Sequence, residues 1–416
     1  MRQDSRLPLQ QLLLCGALVV TLSMGIRHGF GLWLQPIIME RGWSRESFSL
    51  AMAVQNLVWG AAGPLVGLWA DRRGAFGVLW AGALLYGAGL LGMSLADTPA
   101  LFMLSTGVLV GLGQACSTYA VVYGVLGRHV DPAKRSWAMG ITAAAGSFGQ
   151  FLMVPVSSLL IGHLGWQQAL WVLSSLALLL IPLSWGLRDN PQALRAEASL
   201  RQADNAQVAE LKQSAGQALR EALTHPSYLL LTGGYFVCGF QLAFIGVHLP
   251  SYLKDHQIDP SVATTALALI GLFNVVGTYA AGALGQTWRK TWILSAIYTL
   301  RSVVMVAFIL TPLSPLSVGL FAAAMGTLWL STVPPTNAVV AQMLGVQHLS
   351  MLGALVFFSH QIGSFVGVWL GGRLYDATGS YDVVWWIAVG LGLLAAVLNL
   401  PVKENQAPAG RALVRA

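Results

Sequence analysis

Gly67-Leu68-Trp69-Ala70-Asp71-Arg72-Arg73-Gly74, preceded by Gly63 and Pro64, sets one acid and two arginines between apolar runs. The run before it (47–70) and the run after it (76–96) are each long enough to cross a bilayer, which takes about 20 mostly apolar residues. A charged knot between two such runs reads as a short loop at a membrane surface. Gly67 lets the flanking helices close up. Asp71, Arg72 and Arg73 are expected to gate, forming an interdomain charge lock that holds in a single conformation.

Outward from this loop, the same rule marks twelve spans: 9–38, 47–70, 76–96, 100–127, 136–162, 166–187, 227–252, 261–285, 291–311, 315–341, 351–374 and 381–401. Composition agrees. The chain of 416 residues is 56% hydrophobic and 9% charged, against about 25% charged in soluble proteins. A cytosolic enzyme or a disordered chain is excluded, because neither could be solvated or built from this composition. The apolar stretch after Met1–Pro8 runs past signal-peptide length without a clear cleavage site, so it is read as a retained first span. Cys15, Cys116 and Cys238 all lie in apolar runs and are read as packing residues.

The long polar stretch from Arg188 to Pro226 divides the spans six and six. The expected organisation is an N-terminal six-helix bundle over 1–188, a cytoplasmic linker over 189–226, a C-terminal bundle over 227–402 and a cytoplasmic tail over 403–416. Ala206–Leu223 is a candidate amphipathic surface helix. With both termini placed inside, Arg41, Arg45, Lys254 and Arg373 fall outside, Arg27 and Arg301 fall within spans, and the other 17 of the 23 lysines and arginines lie on the inner side. Positive charge collects in cytoplasmic loops, so this orientation is the expected one. It also accounts for the net charge of +7 through lipid headgroups rather than nucleic acid.

The two halves are related by a shift of 214 positions. Gly25, Phe30 and Pro36 become Gly239, Phe244 and Pro250; Thr118 becomes Thr332; Gly149, Gly165 and Trp171 become Gly363, Gly379 and Trp385. Span n of one half thus corresponds to span n+6. Duplicated helical halves are a mark of secondary transporters, which hold substrate near the midplane. The fold class expected is an all-α membrane protein, twelve transmembrane helices in two pseudo-symmetric six-helix bundles.

The Gly-x-x-x-Asp-Arg-x-Gly run from Gly67 to Gly74 resembles the signature loop of the major facilitator superfamily, and the span count, linker and repeat extend the resemblance over nearly the whole chain. The matching loop of the second half, Gly282-Ala283-Leu284-Gly285-Gln286-Thr287-Trp288-Arg289-Lys290, has lost the acid, so the first-half lock is expected to dominate gating. Three stretches resemble the bacterial monocarboxylate-porter-like branch: Gly25-Ile26-Arg27-His28-Gly29-Phe30-Gly31-Leu32-Trp33-Leu34-Gln35-Pro36, His248-Leu249-Pro250-Ser251-Tyr252, and Ser359-His360-Gln361-Ile362-Gly363-Ser364 running on to Tyr375-Asp376. This resemblance implies a carrier of small organic anions such as lactate, pyruvate or oxalate, driven by a proton or by exchange. Well-known members place an Arg in the eighth span, where this chain has Asn274 and no cation.

Every one of the 16 acids falls in a loop or at a span end, whereas Arg27 and Arg301 lie well inside spans. A central ionised residue costs at least about 2.5–3.5 kcal/mol on insertion scales, so it faces a cavity or a partner. An arginine without an acid nearby is matched by a substrate carboxylate, which it grips with two parallel hydrogen bonds. The resemblance makes spans one, four, seven and ten line the cavity, which favours Arg27; Arg301, on span nine, has the alternative of bonding backbone carbonyls inside its own half.

The remaining candidate substrate-binding residues are His28, Gln114, Thr118, Tyr119, Tyr123, His248, Asn274, Trp329, Asn337 and His360. The histidines titrate near neutrality and offer a proton carrier, with a helix-packing hydrogen bond as the plainer role. Thr118 and Thr332 are equivalent by the repeat, and Tyr119 and Tyr123 share a helix face. Pro334 and Pro335 inside the tenth span remove backbone donors and bend the helix. Gly107-x-x-x-Gly111, Gly363-x-x-x-Gly367 and Gly367-x-x-x-Gly371 are close-packing motifs.

No phosphate-binding loop of the Gly-x-x-x-x-Gly-Lys-Ser/Thr type and no zinc-spaced Cys/His cluster occurs. Gly87-Ala88-Gly89-Leu90-Leu91-Gly92 matches a dinucleotide fingerprint as text only, since no strand precedes it. The expected protein is therefore no enzyme, has no cofactor or metal, and works as a monomer in a bacterial inner membrane. It carries a small organic anion, with proton symport one route to uptake. Rival readings are an exporter of apolar drugs or metabolites on the same fold, a non-transporting membrane sensor, and a channel.

Overall fold

A computed structural model of the chain describes residues 7–188, 215–345 and 349–404. Among these the regular structure is entirely helical. Twelve helical segments are long and apolar enough to cross a membrane: Leu9–Arg41, Arg45–Arg73, Ala75–Leu95, Pro99–His129, Trp137–Leu164, Trp166–Trp185, Pro226–Asp255, Pro260–Thr287, Lys290–Leu310, Pro315–Leu344, Met351–Thr378 and Asp382–Asn399. They are called spans 1 to 12 below. The chain divides into two compact units, Met1–Lys212 and Gln213–Ala416. Most of the expected linker and tail lies outside the described residues; of the amphipathic segment, Ala215–Thr224 is helical.

Local chemistry sets the ends of the spans. Ser44 and Ser314 accept the amides of Ser47 and Ser317 at 3.1 Å, and Asp259 accepts that of Ser261 at 2.8 Å, each satisfying a donor that the first helical turn leaves open. Pro226, Pro260 and Pro315 start spans 7, 8 and 10, where the missing N–H costs nothing. Gly165 and Gly379, mates in the repeat, both turn the chain with positive φ (82° and 72°) just after spans 5 and 11, a conformation that L side chains adopt at a cost.

Within each unit the first span of the half crosses the fifth at backbone contact, and the repeat glycines make it possible. A Cβ on Gly25 would meet the carbonyl of Gly149 at 2.6 Å; one on Gly149 would overlap the carbonyl of Thr21. In the second unit a Cβ on Gly239 would overlap the carbonyl of His360, and one on Gly363 that of Phe236. Small residues at a crossing are how membrane helices gain packing that water cannot drive. The shared offset thus marks two copies of one crossing. Trp171 and Trp385 differ: Trp171 is exposed and donates to Ser94 Oγ at 2.8 Å, whereas Trp385 is buried among Phe244, Tyr252, Phe308 and Phe321.

Asp71, Arg72 and Arg73 form the last turn of the span 2 helix, which runs to Arg73; the loop that the sequence suggested is reduced to Gly74. Helix geometry continues because no proline lies from 65 to 73 and the one glycine there, Gly67, costs only about 1 kcal/mol.

Candidate functional site

Spans 4 and 10, equivalent by the repeat, are both interrupted, and at matching positions. Span 4 runs as a helix to Cys116, opens at Ser117 and Thr118, and restarts as Tyr119–His129. No proline causes this. Ser117 Oγ donates to the Gly113 carbonyl at 2.7 Å and pairs with Ser23 Oγ at 2.9 Å; a serine bonding back to the preceding turn bends helices and competes with their ladder. Span 10 ends its first helix at Leu328 and restarts as Val333–Leu344, where Pro334 and Pro335 occupy the first turn and supply no N–H.

In the first unit the break is held by neutral groups. Gln114 Nε2 donates to Tyr86 Oη at 2.8 Å and to the Ser23 carbonyl at 3.4 Å, and Tyr86 Oη donates to the same carbonyl at 3.1 Å. Gln114 is fully buried, its amide nitrogen engaged in the break and its Oε1 without a hydrogen-bond partner. Thr118 is buried at the start of the restarted helix, whose first turn carries no side-chain cap. Such a helix start presents partial positive charge to its surroundings.

Arg27 stands in the same unit. Its Nη2 donates to Asn56 Oδ1, and Asn56 anchors itself by donating Nδ2 to the Met52 carbonyl at 2.8 Å. The guanidinium lies 4.7 Å from the centre of the Trp59 ring, a cation–π distance. Arg27 Nε is buried with no hydrogen-bond partner, which leaves a guanidinium donor open in a low-dielectric setting. Tyr86 and Tyr119 lie within electrostatic range of Arg27, and the Tyr119 and Tyr123 rings pack 5.7 Å apart. His28, the next residue, turns to the Met24 carbonyl of its own helix at 2.6 Å. Asn56 and Trp59 escaped sequence reading, although an Asn inside an apolar span is a polar signal of the same kind as Arg27.

The second unit is built differently. Arg301 is fully buried, and each of the five N–H donors of its guanidinium has an acceptor: Nε reaches the Leu328 carbonyl at 3.0 Å, Nη2 the Leu328 carbonyl at 2.6 Å and the Trp329 carbonyl, Nη1 Cys238 Sγ at 3.3 Å and Gln241 Oε1 at 3.5 Å. Against the expectation of substrate binding by Arg301, every donor here is taken by the protein and none is left for a ligand. Asn274 is likewise occupied, its Oδ1 accepting the Leu330 amide at 2.9 Å and Thr278 Oγ1 at 3.1 Å. Trp329 is buried and serves through its carbonyl. Thr332 Oγ1 pairs with Cys238 Sγ at 3.3 Å.

His248 is buried, with Nδ1 to Tyr381 Oη at 3.0 Å and Nε2 to the Val368 carbonyl at 2.9 Å. Both ring nitrogens are thus engaged between spans. His360 is half-buried, with Nδ1 3.1 Å from Gln361 Oε1 and its ring 5.1 Å from that of Tyr235. Asn337 is exposed on the restarted helix of span 10. The offset of 214 carries Arg27 onto Gln241, so the position that holds a cation in the first unit holds an amide in the second.

In the last turn of span 2 Asp71 Oδ1 accepts from Arg128 Nη1 at 3.2 Å, an ion pair inside the first unit between spans 2 and 4. The acid is therefore engaged by a residue of the restarted span 4 helix, Tyr119–His129. Arg72 and Arg73 are exposed. Among the described residues no group of three or more His, Cys, Asp or Glu is arranged to hold a metal ion.

The chain is similar over its length to known transporters. It is 25% identical over 389 residues to the "Uncharacterized MFS-type transporter YcxA" of Bacillus subtilis (strain 168), covering 91% of this chain and 92% of that protein. It is 28% identical over 391 residues to "Monocarboxylate transporter 13" of Bos taurus, covering 91% and 86%, and 26% identical over 371 residues to "Monocarboxylate transporter 1" of Rattus norvegicus, covering 82% and 73%. The fold matches the crystal structure of a bacterial homologue of the human lysosomal transporter Spinster in its inward-facing and occupied conformation, with a TM-score of 0.74 at 15% identity over 96% of this chain and 99% of that one. The profile of the Major Facilitator Superfamily matches residues 13–346 and again 231–415. Twelve spans, a helical crossing built twice and these matches agree that the chain belongs to the Major Facilitator Superfamily, a family of transporters and not of enzymes.

Proposed function

We propose that this transporter carries a small organic anion, a monocarboxylate in the first instance, by alternating access. The observation that carries the reading is the contrast between the two intramembrane arginines. Arg301 has spent its donors on the protein, whereas Arg27 keeps a buried Nε without a partner. A carboxylate offers two acceptors to one guanidinium edge. The uncapped start of the Tyr119–His129 helix adds favourable potential for an anion, and half-helix starts serve anionic groups in other transporters. Trp59, Tyr119 and Tyr123 supply aromatic surface for a short carbon chain. Relatives named as monocarboxylate transporters support the same substrate class.

Orientation with both termini on the cytoplasmic side of a bacterial inner membrane, and coupling to a proton, complete the proposal. A cation partner makes physical sense, since an inside-negative potential opposes anion entry by about 2.3 kcal/mol per charge per 100 mV. The aromatic wall beside Arg27 favours the second reading, an exporter of apolar compounds. Counterflow in proteoliposomes with a panel of labelled carboxylates separates the two. Exchange of a carboxylate that is lost in Arg27→Gln is expected. Exchange of neutral compounds alone, or carboxylate exchange indifferent to Arg27→Gln, rejects the anion reading.

A further inference from the structure

We propose that Arg301 is a positioning residue: its guanidinium is the fixed counter-charge that closes the break in span 10 and ties that break to span 7. The transport consequence rests on the function proposed above; the structural one stands without it.

A helix that stops in the middle of a membrane leaves its last carbonyls without partners, and no water is at hand to solvate them. The Pro315–Leu328 helix stops this way. Three of the five Arg301 donors go to Leu328 and Trp329, the residues at that end, where the helix dipole also favours a cation. On the other side of the gap the Leu330 amide is taken by Asn274 of span 8. Pro334 and Pro335 have no N–H, so the restarted helix has fewer donors to satisfy. The Leu328 and Trp329 carbonyls and the Leu330 amide are thus answered by side chains fixed on other spans, while the Trp329 and Val333 amides bond within span 10. The last two Arg301 donors go to Cys238 and Gln241 of span 7, so one side chain of span 9 joins span 7 to span 10.

The equivalent break in the first unit shows what is special here. Tyr86, Gln114 and Ser23 hold it with neutral hydrogen bonds, and the cation of that unit, Arg27, is bonded elsewhere, to Asn56. Of the two breaks only the second is clamped by a charge. The clamp needs arginine: a planar fork with five donors matches acceptors on two sides, whereas lysine brings a compact point charge with three. Span 10 should therefore pivot as one body with spans 7 and 9.

Cys238 is a built-in reporter. It is fully buried, with Sγ against Arg301 Nη1 and Thr332 Oγ1. In the full-length protein carrying Cys15→Ser and Cys116→Ala, the alkylation rate of Cys238 by N-ethylmaleimide is measured by mass spectrometry with Arg301 intact, with Arg301→Lys and with Arg301→Gln. Amide exchange is followed in parallel over 328–333 and over 114–119. The Arg301 cation also favours the reactive thiolate, so its loss and the opening of the site act on alkylation in opposite directions. The expected net result is alkylation about tenfold faster or more in Arg301→Gln, the scale of losing charge-assisted bonds. A smaller rise is expected in Arg301→Lys, and exchange should quicken over 328–333 but not over 114–119. With a labelled carboxylate that the parent exchanges, Arg301→Lys should lower the maximal rate and leave KM within about twofold, the reverse of Arg27→Lys.

Unchanged alkylation and exchange in monodisperse Arg301→Lys and Arg301→Gln would overturn the clamp. So would a rise in KM of about tenfold in Arg301→Lys with Cys238 still protected, which would make Arg301 a ligand group. Should Arg301→Gln not fold, the lysine variant decides alone. A parent protein that exchanges no carboxylate sinks the substrate proposal and leaves the alkylation and exchange results standing.

Discussion

Arg27 and Asn56 form a bonded pair across spans 1 and 2: the guanidinium donates through Nη2 to Asn56 Oδ1, and the Asn56 amide is itself fixed to the Met52 carbonyl. Asn56 orients the cation without neutralising it. Asn56→Asp would put a carboxylate where the cargo's charge is wanted, and a charge-assisted pair is about twice as strong as a neutral one. Carboxylate counterflow should fall to about a tenth or less, while Asn56→Ala costs only a few-fold through lost orientation. An Asn56→Asp protein exchanging carboxylate at the parent rate would show that Arg27 does not meet the substrate.

The two backbone crossings should be intolerant of a single methyl group. A Cβ at Gly239 would overlap the His360 carbonyl and one at Gly149 the Thr21 carbonyl, whereas Gly162 has open space. Gly239→Ala and Gly149→Ala are each expected to cost about 1–3 kcal/mol, the scale of overpacking. Gly162→Ala should be neutral. Thermal unfolding in detergent reads the difference, and equal midpoints for all three would refute the crossing.

Asp71 is 71% exposed on its side chain, and its partner Arg128 is 10% exposed. An exposed ion pair contributes about 0–1 kcal/mol, so Asp71→Asn should leave the unfolding midpoint nearly unchanged. A gating role predicts that exchange slows several-fold all the same. A large drop in midpoint would assign the pair to stability instead.

Glu404 reaches back from beyond span 12 to the start of span 9. Its Oε1 accepts the Thr291 amide at 2.9 Å and Thr291 Oγ1 at 3.0 Å, with Lys290 Nζ at 3.9 Å from Oε2. It performs the work of a helix cap from a distance in sequence, and Glu404→Ala should cost about 0.5–2 kcal/mol. Faster amide exchange at 290–293 would accompany the loss; protection identical to the parent would contradict it.

Asp259 starts span 8, and the Ser261 amide and hydroxyl hold its carboxyl below its ordinary value. A depressed carboxyl stabilises the fold above its unfolded pKa, and that contribution is lost as pH falls through the folded one. Exchange at residues 261–263 should therefore be flat in this term from pH 8 to 5 and quicken only in the acid range. Asp259→Asn should show no such acid step. An equal acid step in that variant would locate the titration elsewhere.

Membrane class, the twelve spans to within a few residues and the duplication are all legible in the chain alone. Each is written in local or periodic features: runs of apolar residues, a constant offset of 214, and glycines such as Gly239 and Gly363 wherever two backbones cross. The sequence also picked out both intramembrane arginines, because an ionised group in a low-dielectric slab is conspicuous in one dimension. Only tertiary structure separated them. The acceptors of Arg301 lie 27, 28, 60 and 63 positions away: two carbonyls at a break that Pro334 and Pro335 signal, and two side chains of span 7 that no spacing along the chain connects to it. Asn56 and Trp59 reach Arg27 because two helices pack side by side. Whether a buried charge is spent on its own protein or kept for a cargo depends on which donors find partners in space, and spacing along the chain does not contain that.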